Sequence, residues 1–160
     1  MRSGAAGAVR LASGGDIPEL VRLRALLFTG LAATWGPAPA GDAWRDTCAD
    51  ALAQRLGDEA TRIVVIDAAT GLAGCGIGII DHRLPGPFNP AGQIGHIFGI
   101  VTDPAHRRRG HATAVMRALL SWFDTHGVAR VDLNASPDGQ QLYRSLGFTD
   151  HPDPTLCRTR

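Results

Sequence analysis

Gly95-His96-Ile97-Phe98-Gly99-Ile100-Val101-Thr102-Asp103-Pro104-Ala105-His106-Arg107-Arg108-Arg109-Gly110-His111-Ala112 is the stretch that decides the fold. An apolar run comes first, then a turn containing proline, then a basic loop closed by glycine. Beyond it, Ala112, Val115, Met116, Leu119, Leu120 and Phe123 recur at helical spacing, and Gly127 stands where a left-handed residue would end a helix. The unit is therefore strand, short loop, long helix. Ile97, Phe98, Ile100 and Val101 make the strand apolar on both faces, the pattern of a buried strand. The first turn of a helix leaves N–H groups without intrahelical partners, and the aligned peptide dipoles add positive charge at the same end. A glycine there lets an anion approach the backbone, so the loop suits phosphate. Arg107, Arg108, Arg109 and His111 add cationic side chains around it.

The kind of phosphate ligand can be narrowed. A nucleoside-triphosphate loop requires Gly-Lys followed by Ser or Thr, and this chain has no lysine. The glycines at 71, 74, 76, 78, 95, 99 and 110 never give the G-x-G-x-x-G of a dinucleotide site. What is present is Arg107-x-x-Gly110-x-Ala112. It resembles the Q/R-x-x-G-x-G/A signature of the GCN5-related N-acetyltransferase (GNAT) family, whose loop holds the pyrophosphate of coenzyme A. Downstream, Asn134-Ala135-Ser136-Pro137-Asp138-Gly139-Gln140-Gln141-Leu142-Tyr143-Arg144-Ser145-Leu146-Gly147-Phe148 resembles the family's closing motif, a splayed strand, a short helix with a tyrosine, and Leu-Gly-Phe. Many members carry asparagine seven residues before that tyrosine; Ser136 takes the place here, as in some branches.

The resemblance implies a V-shaped splay between two central parallel strands, here those ending at Thr102 and Asn134. Pantetheine would bond the main chain near Ile100 and Val101 like an added strand. Residues Arg107, Arg108, Arg109, Gly110, His111, Ala112 and Thr113 would cradle the pyrophosphate, with Asn134, Ser136 and Gly139 completing the cofactor-binding set. The implied reaction is direct transfer of acetyl from acetyl-CoA to a primary amine, with no metal and no covalent enzyme intermediate. Tyr143, the sole tyrosine, falls at the family's position for the general acid that protonates the departing thiolate, and its reference pKa near 10 keeps it protonated at neutral pH. The alternative is a packing tyrosine at the sheet edge. Family members often use a carboxylate base on the central strand; this chain offers the imidazole of His96 there, a side chain type suited to proton transfer. Asp81 and His82 are the runners-up, and a neutral acceptor amine needs no base. The rival from another class is a non-catalytic acyl-CoA-binding sensor or scaffold.

Composition bounds the rest. At 160 residues, 44% hydrophobic and 19% charged, the chain is expected to be one globular domain, 8–160, behind a flexible N-terminus, 1–7. A net charge of +1 supplies no field to recruit nucleic acid. The Arg107–Arg109 run alone could be a solvated face or a nucleic-acid patch, but no aromatic residues interleave it for stacking. Cys48, Cys75 and Cys157 are odd in number and form no C-x-x-C pair, which fits a reducing cytosol and speaks against a disulfide framework or zinc site. No apolar run reaches membrane-spanning length, and Met1–Ala8 lacks the apolar core of a signal peptide. The expectation is a cytoplasmic protein that binds neither nucleic acid nor membrane. Homodimers are common in the resembled family, although no sequence feature here shows one.

Read in order, Ala8–Ala12 is a first strand, Asp16 to about Phe28 a helix capped by Asp16, and Thr29–Gly41 a loop with Trp35. Trp35 either plugs the core or touches the acceptor. A second helix spans about Asp42–Leu56. Thr61–Asp67 and Leu72–Asp81 form a hairpin, and Gly74, Gly76 and Gly78 in its second strand imply either room for a ligand or close packing of a helix. His82–Gly92 is a proline-rich loop. After the long helix, Val128–Asn134 is a strand, the tyrosine helix follows, and a last hairpin begins at Phe148 and ends at Leu156–Arg158. The first helices, the two loops and that hairpin would wall a small-molecule or peptide amine. The element order implies α+β, a mixed and mostly antiparallel sheet of six to seven strands with helices on both faces.

Overall fold

A computed structural model describes residues 7–160. Six residues of the N-terminus expected to be flexible, 1–6, lie outside the described residues. The elements are β1 Val9–Leu11, α1 Ile17–Gly30, α2 Ala32–Trp35, α3 Ala43–Leu56, β2 Thr61–Asp67, β3 Leu72–His82, β4 Gln93–Thr102, α4 His111–Thr125, β5 Val131–Leu133 and α5 Gln140–Ser145, with one-turn 3-10 helices at Gly14–Asp16 and Pro104–His106.

One sheet carries the five strands in chain order, β1-β2-β3-β4-β5. Every pairing is antiparallel except β4 with β5, which is parallel. Helices cover both faces. α4 lies on one, where Val115, Met116, Leu119, Trp122 and Phe123 pack on Val64, Ile66, Ile80 and Ile97. α1 and α3 lie on the other, with Leu20, Val21, Leu23 and Leu52 over Ile63, Val65, Cys75, Ile77 and Val101. The glycines of β3 are explained by α4. A Cβ on Gly76 would sit 2.5 Å from both Ile100 and Val115, and one on Gly78 would sit 3.1 Å from Phe123. The helix therefore packs on β3 backbone, and the space above those glycines is filled.

α4 begins at Gly110 and ends in a left-handed Gly127, φ 69°, with the Val128 N–H donating to the Phe123 carbonyl at 3.0 Å. Val128 belongs to that closure and is buried against the helix, so β5 is shorter than the Val128–Asn134 expected. Asp16 precedes α1 without capping it; its carboxylate takes Arg10 and the Ser13 N–H. The Arg10 guanidinium is the main cause that holds Asp16 down at about 2.

The sheet has five strands, not six to seven, because the expected last hairpin does not form. Pro152 and Pro154 remove two N–H donors within three residues, which spoils a ladder. The segment is pinned by side chains: Arg144 to Asp150 at 2.6 Å, Arg130 to His151, and the Asp153 N–H to His151 Nδ1 at 2.9 Å.

Candidate active site

β4 and β5 pair only at Gly95↔Val131, His96↔Asp132 and Ile97↔Leu133. β4 then runs on to Thr102 without β5. On the other side β4 carries an extra residue: between the pairs Ile77↔Phe98 and Cys75↔Val101, β3 has Gly76 alone whereas β4 has Gly99 and Ile100. Gly99 absorbs the bulge at φ 64°, a left-handed value that glycine adopts without a Cβ penalty. The bulge resets the pleat. Ile97 and Ile100 both face α4, while Phe98 and Val101 face α1 and α3.

The loop after β4 is held from α1. Arg22 reaches Asp103 at 2.7 Å and Glu19 at 2.6 Å, and Glu19 in turn accepts the Leu72 N–H at 2.8 Å. Asp103 also accepts the Ala105 N–H, which is the main cause of its lowered pKa, with Arg22 second; Arg22 is the main cause for Glu19. Arg107, Arg108 and Arg109 are exposed and make no ion pair among the described residues. Arg108 is held at φ 63°, the one non-glycine positive φ among the described residues. Gly110, at φ 77°, occupies the N-cap of α4 and offers no side chain to cap it. The first-turn N–H groups of His111, Ala112 and Thr113 thus open outward, next to three cations. Free N–H groups and nearby cations are the two features that favour an anion at a helix start. His111 itself is buried at 7% exposure with Nδ1 unpartnered, and burial, then His106 and Arg109, lower its pKa.

Tyr143 projects from α5 on the α4 side of the sheet, as Ile100 does, and its ring meets Phe148 edge-on at 6.2 Å. Gly139, the N-cap of α5, is small for a local reason: a Cβ there would lie 2.7 Å from the Tyr143 ring. Burial raises the Tyr143 phenol pKa, so at neutral pH it holds its proton. Asn134 and Tyr143 line an open cleft of about 1100 Å³ that wraps the β5 edge as far as His96. Ser136 lies in the turn that leads to Gly139, whose N–H it receives at 3.0 Å.

On the α1 and α3 side, the Gly99 carbonyl accepts the Cys75 thiol at 3.6 Å. Burial pushes that thiol up to about 12, so it is no nucleophile at neutral pH. A small pocket opens here, lined by Leu20, Arg24, Leu27, Leu52, Cys75, Ile77, Gly99 and Val101. Beside it Arg55 lies over the Phe98 ring at 5.7 Å, and His96 stacks on the same ring at 5.9 Å. Arg24 and Arg55 escaped sequence reasoning. Arg24 is two residues from the fully paired Arg22, and only the fold separates their surroundings.

The residues expected along β4 and the basic loop are thus brought together, with His96 three residues before the bulge. Asp81 and His82 are not. They face Ile94 and Gln93, about 16 Å and about 20 Å along the strand from Gly99 by strand rise, and Asp81 pairs with Arg83 at 3.1 Å. Trp35 ends α2 at 69% exposure, so it does not plug the core. Among the described residues no cluster of three His, Cys, Asp or Glu could hold a metal, and no helix is long and apolar enough to cross a membrane.

The acetyltransferase (GNAT) family model matches residues 26–148. The chain belongs to the GNAT family. It is similar to glucosamine 6-phosphate N-acetyltransferase 1 of Oryza sativa subsp. japonica, 31% identical across 91% of this chain and 90% of that protein. Among solved structures, a predicted acetyltransferase with acetyl-CoA from Clostridium acetobutylicum shares the fold with a TM-score of 0.82, 21% identity and 94% of each chain covered. A GCN5-related N-acetyltransferase from Ralstonia eutropha JMP134 shares it with a TM-score of 0.76 and 24% identity, over 94% of this chain and 97% of that one. This GNAT chain is an N-acetyltransferase.

Proposed function

We propose that this GNAT enzyme moves acetyl from acetyl-CoA directly to a primary amine, with Tyr143 as the general acid. One observation carries the reading: the unpaired edge of β4, Phe98–Thr102, leads straight to the uncapped N-terminus of α4. A ligand with an amide-bearing arm and a pyrophosphate needs those two features in that order. Acetyl-CoA supplies the activated acyl group as a thioester. The main chain at Ile100 and Val101 binds the arm, and the first turn of α4 with Arg107–Arg109 binds the pyrophosphate. Tyr143 holds a proton at Oη for the departing sulfur. Cys75 keeps its proton at neutral pH, which favours direct attack by the amine over an acyl-cysteine route. His96 is the candidate to take the amine proton. If the acid limb of the pH–rate profile persists in His96→Gln, His96 does not have that role.

Thermal unfolding with acetyl-CoA and with ATP, followed by turnover of Tyr143→Phe, tests the reading. A ligand confined to the folded state stabilises it by about 2.7 kcal/mol at a hundred times its dissociation constant. Acetyl-CoA should raise the midpoint well above ATP. Tyr143→Phe should keep that shift and lose turnover by about a hundredfold or more. No shift with saturating acetyl-CoA overturns the proposal, and undiminished turnover of Tyr143→Phe overturns the acid role.

A further inference from the structure

Two guanidinium groups face the sheet from the side opposite α4. Arg24 projects from α1 into the small pocket at the β4 bulge, half-buried among Leu20, Leu27, Leu52, Ile77 and Val101. The guanidinium lies over the Phe28 ring, 5.2 Å from its centroid. Arg55 projects from α3 over Phe98, the residue just before the bulge. The other arginines of these helices are neutralised: Arg22 by Glu19 and Asp103, Arg45 by Asp42. Arg24 and Arg55 make no hydrogen bond or ion pair among the described residues. The Cys75 thiol beside Arg24 remains neutral and cannot serve as a counter-ion.

A half-buried cation against apolar walls with aromatic rings but no anion beside it is incompletely compensated, and a guanidinium there is preorganised for a two-oxygen anion. Location adds the second half of the argument. The bulge at Gly99 lies where β4 has just lost β5, so this pocket and the cosubstrate edge share one stretch of backbone from opposite faces. The pocket itself has room for only about 20 Å³, so an acceptor would dock at its mouth, with its anion on the half-buried Arg24 and its amine toward the bulge. We infer that the acceptor is an amine that also carries an oxyanion, a phosphate or a carboxylate, and that Arg24 binds this anion with Arg55 at the rim. This rests on the acetyltransferase reading of the site.

The test measures kcat/KM, by release of free thiol from acetyl-CoA, for amines in matched pairs. Glucosamine 6-phosphate against glucosamine reads the phosphate source; leucine against leucinamide, within a panel of α-amino acids and their amides, reads the carboxylate source. The anionic member of at least one pair should be preferred by about 10- to 100-fold, the range of a lost charge-assisted bond. Arg24→Gln should collapse that preference, Arg24→Lys should restore part of it, and Arg117→Gln on the exposed face of α4 should leave it intact. Equal rates within every pair, no turnover of any anionic member, or a preference that survives Arg24→Gln overturns the inference. A protein that acetyl-CoA fails to stabilise overturns the acetyltransferase site instead, so the two failures are distinct.

Discussion

Replacing Gly76 by alanine adds a single methyl group where α4 lies on β3. The new Cβ would stand 2.5 Å from Ile100 Cδ1, 2.5 Å from Val115 Cγ1 and 3.2 Å from Leu119 Cδ1. Carbon atoms in contact prefer about 3.5–4.0 Å. Val115 and Leu119 are fully buried, so neither has free space to retreat into. Overpacking of this kind costs about 1–3 kcal/mol. Removing a glycine from a strand returns about 0.5–1 kcal/mol. With two contacts at 2.5 Å the overpacking cost belongs in the upper half of its range, about 2–3 kcal/mol, so the net expectation is about 1–2.5 kcal/mol lost, a fall in Tm of about 2–10 °C for a chain of this size. Urea and thermal unfolding would read it. Gly78→Ala, whose nearest atom is at 3.1 Å, should suffer less, and Gly86→Ala, with nothing within 4 Å, should stay within about 0.5 kcal/mol of the parent. Because Ile100 would also be displaced, affinity for acetyl-CoA should drop alongside stability. A Gly76→Ala protein as stable as the parent or more so would refute the packing argument and return those glycines to the other sequence reading, open room for a ligand.

Further outcomes follow from strain and charge. Arg108→Gly relieves a left-handed backbone that costs a side-chain-bearing residue about 1–2 kcal/mol, less about 0.4–1 kcal/mol of added unfolded-state freedom. It should therefore gain up to about 1.6 kcal/mol in urea unfolding, and a loss would show that the exposed arginine makes a compensating contact. Glu19 and Asp103 have pKa values lowered in the fold, as does Asp16 at about 2. On acidification the unfolded chain takes up those protons first, so their stabilisation is present above about pH 4 and drains away as the pH falls toward 2. Arg22→Met should lower stability at pH 7 and flatten that acid slope; an unchanged slope would remove the Arg22 network as its source.

Most elements were readable because their patterns are local. Thr61–Asp67 matches β2 in full, and the spacing of Val115, Met116, Leu119 and Phe123 with Gly127 behind it gives α4 and its stop. The place of the basic loop was readable too, since Gly110 needs only the strand before it and the helix after it. The tail misled because Leu156 and Cys157 look like strand residues, while the two prolines before them decide the outcome. Gly99 lay in plain view within the central strand, but a bulge is a property of two strands in register, and one strand's sequence does not show it. Arg24 and Arg55 belong to the same class: each looks like an ordinary helix-surface arginine until β4 is placed beneath it. Asp81 and His82 sit at the far end of β4 from the bulge because antiparallel pairing turns sequence proximity around.

The brevity of the β4–β5 ladder divides the molecule by local opening. α4 is fifteen residues long and buries six side chains against the sheet, whereas β5 holds three parallel pairs and α5, which carries Tyr143, is six residues long with none fully buried. Segments with few buried contacts open at the least free energy. Deuterium should therefore reach the amides of β5 and α5 well before those of β3 and α4. A ligand laid along β4 would act as the missing neighbour and slow exchange from Phe98 to Thr102. On the proposed roles, the proton donor would then ride on the loose half of the molecule while the phosphate cradle would belong to the firm half, so that gripping the cofactor and aiming the acid would be separately adjustable.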